Sequence, residues 1–155
     1  MAETELRGVL PYLISPVTDT GEINADILAR LVDHLVDSGV HGLVPLGSTG
    51  EFAYLTWRQR YKVVEVVVVA NAGRVPVVAG VAATSSREAV RQAREFEALG
   101  VDGILAIMEV YFPIDEKGVE DYFTAVARAV SLHVSRPGSN YRDSPLAIPF
   151  HPRYR

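Results

Sequence analysis

The feature that most restricts the fold is a junction that occurs twice. SGVHGLVPLG at 38–47 and LGVDGILAIM at 99–108 each pass from a helix end through a Gly-Val-x-Gly turn into an apolar run of strand type. The runs GVLPYLI from Gly8, GLVPL from Gly42, VPVVAGV from Val75 and GILAIM from Gly103 barely alternate between apolar and polar residues. Such runs suit strands covered on both faces, as in a parallel sheet flanked by helices. Steps of about thirty residues from strand start to strand start match the length of a βαβ crossover, and four such units fit before residue 131. Two architectures grow from this unit: an open doubly wound parallel sheet, or a (β/α)8 barrel, which normally needs about 250 residues. This chain has 155 residues and would hold about half a barrel.

The intervening segments carry helix signals. Asn24 is placed to cap a helix bearing Leu28, Leu31 and Leu35, with Gly39 at its end. TWRQ at 56–59 and SSRE at 85–88 fit the capping-box pattern, with Gln59 and Glu88 expected to reach back to Thr56 and Ser85. VVEVVVVA at 63–70 is rich in β-branched residues, but the preceding box and the better strand that follows assign it to a helix. A fourth helix carries Phe123, Val126 and Val130, and Asp115, Glu116, Glu120 and Asp121 give it an acidic, solvated start. Residues 132–155 break the pattern: they hold four of the nine prolines and a net +3, against −7 for residues 1–131. The expected organisation is a βα domain over 1–131 and an irregular Pro/Arg-rich tail over 132–155.

Composition narrows the partners. A net charge of −4 offers no basic surface for a phosphate backbone, which argues against nucleic acid. The absence of cysteine excludes disulfides and thiolate chemistry and suits a reducing cytoplasm. The N-terminus does not read as a signal peptide, and the longest apolar run is too short to span a bilayer. A soluble, cytoplasmic protein with a small-molecule ligand is expected. The four histidines, at 34, 41, 133 and 151, lack metal-ligand spacing, so no metal site is expected.

PLGSTGEF at 45–52 lies where a βα unit places ligands, just after the carboxyl end of the second candidate strand. Gly47 and Gly50 allow a tight bend, and amide N–H groups with the Ser48 and Thr49 hydroxyls can converge on a small anion. No Gly-Lys-Ser/Thr follows, so this is not a nucleotide loop. Taken alone, the same residues suit any strand-to-helix turn. Tyr111, after the fourth candidate strand, reads either as a phenol at the same end of the sheet or as a packing residue with a wet hydroxyl.

The ordered set GVLPYLISPVTDTGEIN, GLVPLGSTGEFAYLT, VPVVAGV and GVDGILAI resembles the dihydrodipicolinate synthase and N-acetylneuraminate lyase family from about Gly8 to Val130. The resemblance implies a (β/α)8 barrel, usually a homotetramer, acting as a class I aldolase, a carbon–carbon or carbon–oxygen lyase. A lysine at the end of the sixth strand would form a Schiff base with pyruvate or another 2-oxo acid, without metal or organic cofactor. It further implies that Gly47, Ser48, Thr49 and Gly50 bind the substrate carboxylate, that Ser48 also serves a proton relay, and that Tyr111 is the relay tyrosine reaching a neighbouring subunit's site.

The chain departs from that family in two places. Glu109, Val110 and Tyr111 stand where much of the family reads Pro-Tyr-Tyr, and the strand-five tyrosine and strand-six lysine have no recognisable counterpart. Lys62 and Lys117, the only lysines, fall in helical segments, so no Schiff-base lysine is expected here. The change of composition near residue 132 is what a truncated gene or shifted reading frame would produce. Two readings follow: an aldolase-family protein inactive as this chain, or a non-catalytic small-anion-binding or assembly domain. Half a barrel would leave its first and fourth strands without the neighbours of a closed barrel, and such open edges favour oligomers or aggregation.

Overall fold

The computed structural model describes residues 6–135. Four helices, α1 (Ala25–Asp37), α2 (Trp57–Asn71), α3 (Ser86–Leu99) and α4 (Glu116–Ala129), alternate with three strands, β1 (Val78–Ala83), β2 (Gly103–Met108) and β3 (His133–Ser135). The strands form one parallel sheet in the order β1-β2-β3, with Val78 opposite Gly103 and Gly103 opposite His133.

The first two candidate strands extend this sheet as single parallel bridges, Tyr12 to Val44 and Leu43 to Val77. Leu13 N–H donates to the Val44 carbonyl (3.0 Å), Val44 N–H to that of Pro11 (3.0 Å), and Val78 N–H to that of Leu43 (2.9 Å). Full ladders do not form because Pro11, Pro45 and Pro76 have no N–H to give, and Leu46 leaves extended geometry at φ +61°. Alternating βα units with every sheet neighbour parallel make this the fold of a partial (β/α)8 barrel.

The capping signals largely hold. The Asn24 side chain accepts from Ile27 N–H, Thr56 and Gln59 form the full reciprocal box, and Gly100 ends α3 in the left-handed region. The β-branched run is helical, with Val63, Val64, Val66 and Val67 buried. Ser85 caps α3, but Glu88 does not reach back: its carboxylate takes hydrogen bonds from Arg91 and Gln92. The guanidinium is a stronger donor than a backbone amide and sits one turn along the same face. Where irregular chain was expected from residue 132, His133–Ser135 continues the sheet, because a fifth parallel segment pairs with the free edge of β2. The rest of the expected tail, 136–155, lies outside the described residues.

One sheet face and the helices enclose the main core, in which Leu13, Leu28, Val32, Leu43, Val81, Ile104 and Phe96 are fully covered. The opposite face carries a smaller cluster of Val44, Val78 and Leu105, covered by Leu6, Leu10 and Ile107. Aromatic and cation–π contacts join α2 to α3. Phe96 stacks on Trp57 at 5.3 Å, and the Arg91 guanidinium lies over the indole, 4.2 Å from its ring centre, while pairing with Glu88 and Glu95.

Phe96→Ala is expected to cost about 3–5 kcal/mol, since it leaves a cavity and removes the stacked partner of Trp57; urea titration followed by Trp57 fluorescence measures it. The Arg91 hydrogen bond holds the Glu88 carboxyl at about 2, below its ordinary 4.5. The stability this adds is complete above the ordinary value and lost as pH falls from there toward 2. Glu88→Gln should therefore flatten the dependence of melting temperature on pH across that window, relative to the parent.

Candidate functional site

The chain leaves its second extended segment through Leu46, which is fully buried at φ +61°. Gly80 of β1 runs against this bend: a Cβ there would lie 2.1 Å from the Leu46 carbonyl oxygen, while its N–H donates to Pro45. Residues Ser48–Gly50 then form one 3-10 turn, and Phe52–Tyr54 a second, before Thr56 starts α2.

The glycines do not act by supplying left-handed backbone, as the tight bend would suggest. Gly47 is extended at φ −75°, Gly50 is not among the positive-φ residues, and the left-handed positions are Leu46 and Glu51. What they supply is clearance. A Cβ on Gly47 would meet the Tyr12 ring at 2.7 Å, and one on Gly50 would sit 2.9 Å from the Leu13 carbonyl and 3.4 Å from Ser15 Oγ. That Ser15 oxygen is the one buried side-chain polar atom without a partner among the described residues.

Gly47 and Gly50 are buried, whereas the Ser48 and Thr49 side chains are exposed and have no protein partner among the described residues. The backbone N–H groups of Ser48 and Thr49 also donate to no protein acceptor there, as the first residues of a helical turn must. The turn thus presents two hydroxyls and two amides on the rim formed by the carboxyl ends of the parallel segments, a donor set suited to a carboxylate.

Tyr111 lies on the same rim, in the loop after β2, two strands along from the turn. Its ring packs edge-on against Phe112 at 4.8 Å and is 86% exposed; it does not meet the turn. Lys62 and Lys117 are exposed on α2 and α4, each 2.6 Å from a carboxylate, Glu65 and Asp121. Both sit within helices rather than at the end of a strand.

The rim also holds groups with no motif to announce them. A cleft of about 220 Å³ opens between the starts of α2 and α3, lined by Trp57, Arg60, Thr84, Glu88, Gln92 and Glu109. Gln92 is buried and accepts from Ala82 N–H, and Arg60 Nη1 donates to the Ala82 carbonyl at 2.9 Å. Below it, the Tyr122 hydroxyl donates to the Ile107 carbonyl (2.8 Å), and burial pushes its pKa up to about 12. A long polar side chain one turn into an otherwise apolar helix face is the only signal that could have marked Arg60 and Gln92. Among the described residues there is no group of three or more His, Cys, Asp or Glu able to hold a metal ion, and no helix is long and apolar enough to cross a membrane.

Parallel βα units with a donor-rich turn at the carboxyl rim define a protein of the (β/α)8-barrel class. More narrowly, the sequence pattern of the dihydrodipicolinate synthetase family matches residues 5–134, and the chain belongs to that family. It is 38% identical over 145 residues to 4-hydroxy-tetrahydrodipicolinate synthase of Synechococcus sp., an alignment covering 90% of this chain and 47% of that protein. The crystal structure of dihydrodipicolinate synthase from Aquifex aeolicus superposes with a TM-score of 0.80 at 30% identity, covering 84% of this chain and 44% of the other. YagE, a prophage protein of the same family from E. coli K12 solved in complex with pyruvate, gives 0.80 at 32% identity, covering 83% and 43%. The chain spans just under half the length of these relatives.

Because the nearest atom at Gly50 is a backbone carbonyl oxygen, Gly50→Ala should destabilise the chain by about 1–3 kcal/mol. Thr49→Ala, at an exposed side chain with no hydrogen bond among the described residues, should stay within about 0.5 kcal/mol of the parent. Thermal melts of the two variants check the contrast.

Proposed function

We propose that the Gly47–Gly50 turn binds the carboxylate of a 2-oxo acid such as pyruvate, in a chain whose family chemistry is that of a Schiff-base aldolase or lyase. One observation carries this reading. Ser48 and Thr49 stand at the carboxyl rim with hydroxyls and amides that have no partner among the described residues, in a family in which the related YagE was solved with pyruvate. Desolvating a carboxylate requires several donors already in place, and the turn holds four in one short segment.

In Schiff-base chemistry a lysine amine adds to the 2-oxo carbon, a carbon–nitrogen bond forms as the oxygen leaves in water, and the resulting cation draws electrons from the neighbouring carbon. Ser48 is positioned to accept and return a proton near the bound carboxylate, and Tyr111 belongs to the same relay in an assembled site. The ion pairs of Lys62 and Lys117 on outer helix faces support binding without Schiff-base formation by this chain. The apolar side chains left open on its first segment, Val9, Ile14 and Val17, favour a second reading, an assembly domain that associates through this segment.

Calorimetric titration with pyruvate should show binding by the parent and about fivefold weaker binding by Ser48→Ala, the loss of one neutral hydrogen bond. Borohydride treatment with pyruvate, read by intact mass, should leave the chain unmodified. A folded parent that does not bind pyruvate overturns the carboxylate reading, and an adduct on Lys62 or Lys117 overturns the placement of the chemistry.

A further inference from the structure

The Arg60 side chain, only 13% exposed, joins three neighbouring pieces of the rim. Its Nε donates to the carbonyl of Leu55 (3.1 Å), the residue whose N–H closes the second 3-10 turn by donating to Phe52. Its Nη1 donates to the Ala82 carbonyl near the end of β1 (2.9 Å). Its Nη2 faces the Glu109 carboxylate, the first residue after β2, at 3.8 Å. The guanidinium carbon also lies 5.5 Å from the centre of the Phe52 ring, in the segment that follows the binding turn.

The loop that carries Tyr111 has few other ties. Val110, Tyr111, Phe112 and Ile114 are all exposed, and Tyr111 and Phe112 pack on each other. Between Met108 and Asp115, the hydrogen bonds and ion pairs to the rest of the described chain both come from Glu109: its N–H to the Ala83 carbonyl (3.2 Å), and its carboxylate to Arg60. A half-buried carboxylate beside a nearly covered guanidinium is held in one direction, because leaving either charge alone in a shielded site costs more than the pair returns. Arginine is suited to this place because its planar fork reaches two carbonyls and a carboxylate in different directions, which a single ammonium does not.

We propose that Arg60, acting through Glu109, is a positioning residue that fixes the Tyr111 loop relative to the Gly47–Gly50 turn. Its relevance to ligand rests on the carboxylate reading of that turn, whereas the link itself does not.

Hydrogen–deuterium exchange of the whole chain, read by mass spectrometry, tests the link without ligand. Arg60→Gln should speed exchange about tenfold both in 51–55 and at the Glu109 amide, which donates to the Ala83 carbonyl, and Glu109→Ala should do so at residue 109, with α1 unchanged in each. In the double variant, Arg60→Gln should add nothing at residue 109, because the connection is already lost. Arg60→Lys, which keeps a charge opposite Glu109 but lacks the fork, should restore slow exchange at residue 109 and not at 51–55. Additive effects at residue 109, no change there in Arg60→Gln, or equal loosening of α1 would overturn the link. With saturating pyruvate, the parent should gain protection at 47–55 and Arg60→Gln should lose that gain. An intact double-variant result without protection in the parent refutes the carboxylate reading alone, and equal protection in parent and Arg60→Gln refutes the positioning role.

Discussion

The close passage of β1 beneath Leu46 is the constraint on which the rim depends. With Gly80 so near the Leu46 carbonyl that a methyl group would overlap it, β1 can hydrogen bond to Pro45 only if no side chain intervenes. The second extended segment then cannot run straight on, and Leu46 takes a left-handed conformation that a leucine in a free chain avoids. The core supports that strain: the Leu46 side chain is fully covered. Everything after it, the exposed Ser48 and Thr49, the second 3-10 turn and the capped start of α2, is aimed by this one crossing.

Polar groups on the rim are arranged around the same crossing. Arg60 and Gln92 rise from α2 and α3 to the backbone of β1 at Ala82, one donating to its carbonyl and the other accepting from its N–H. Buried backbone at the end of a short strand needs such partners, since water does not reach it. The Trp57–Phe96 stack, with Arg91 over the indole, ties the two helices together beside these contacts. Stability of the seam and geometry of the cleft are thus properties of one set of side chains.

Much of this architecture is legible in the order of residues. Capping at Asn24, Thr56 and Ser85 is local, depending on atoms three residues apart, so it survives folding unchanged. The β-branched run at 63–70 reads correctly as a helix because Thr56 and Gln59 define its start. Glu88 reads wrongly, because Arg91 competes for its carboxylate from one turn away, and a two-residue motif carries no record of a stronger donor. The sequence around residue 132 changes its charge and proline content, yet His133–Ser135 is a strand, since the free edge of β2 supplies a partner that composition does not show.

The sequence by itself determined the alternation of βα units, the place of the glycine and hydroxyl turn after the second strand, and the absence of a lysine at a strand end. These follow from periodicity, capping and residue identity, all of which act over a few residues. Tertiary structure alone decided why the turn needs its glycines. They give clearance to Tyr12 and Leu13, from a segment more than thirty residues earlier, while the left-handed backbone falls on Leu46 and Glu51. It also decided that Arg60 and Glu109, separated by nearly fifty residues, meet on the rim. Such pairings depend on which strand ends the sheet brings side by side, and that register is a property of the packed molecule rather than of any local stretch.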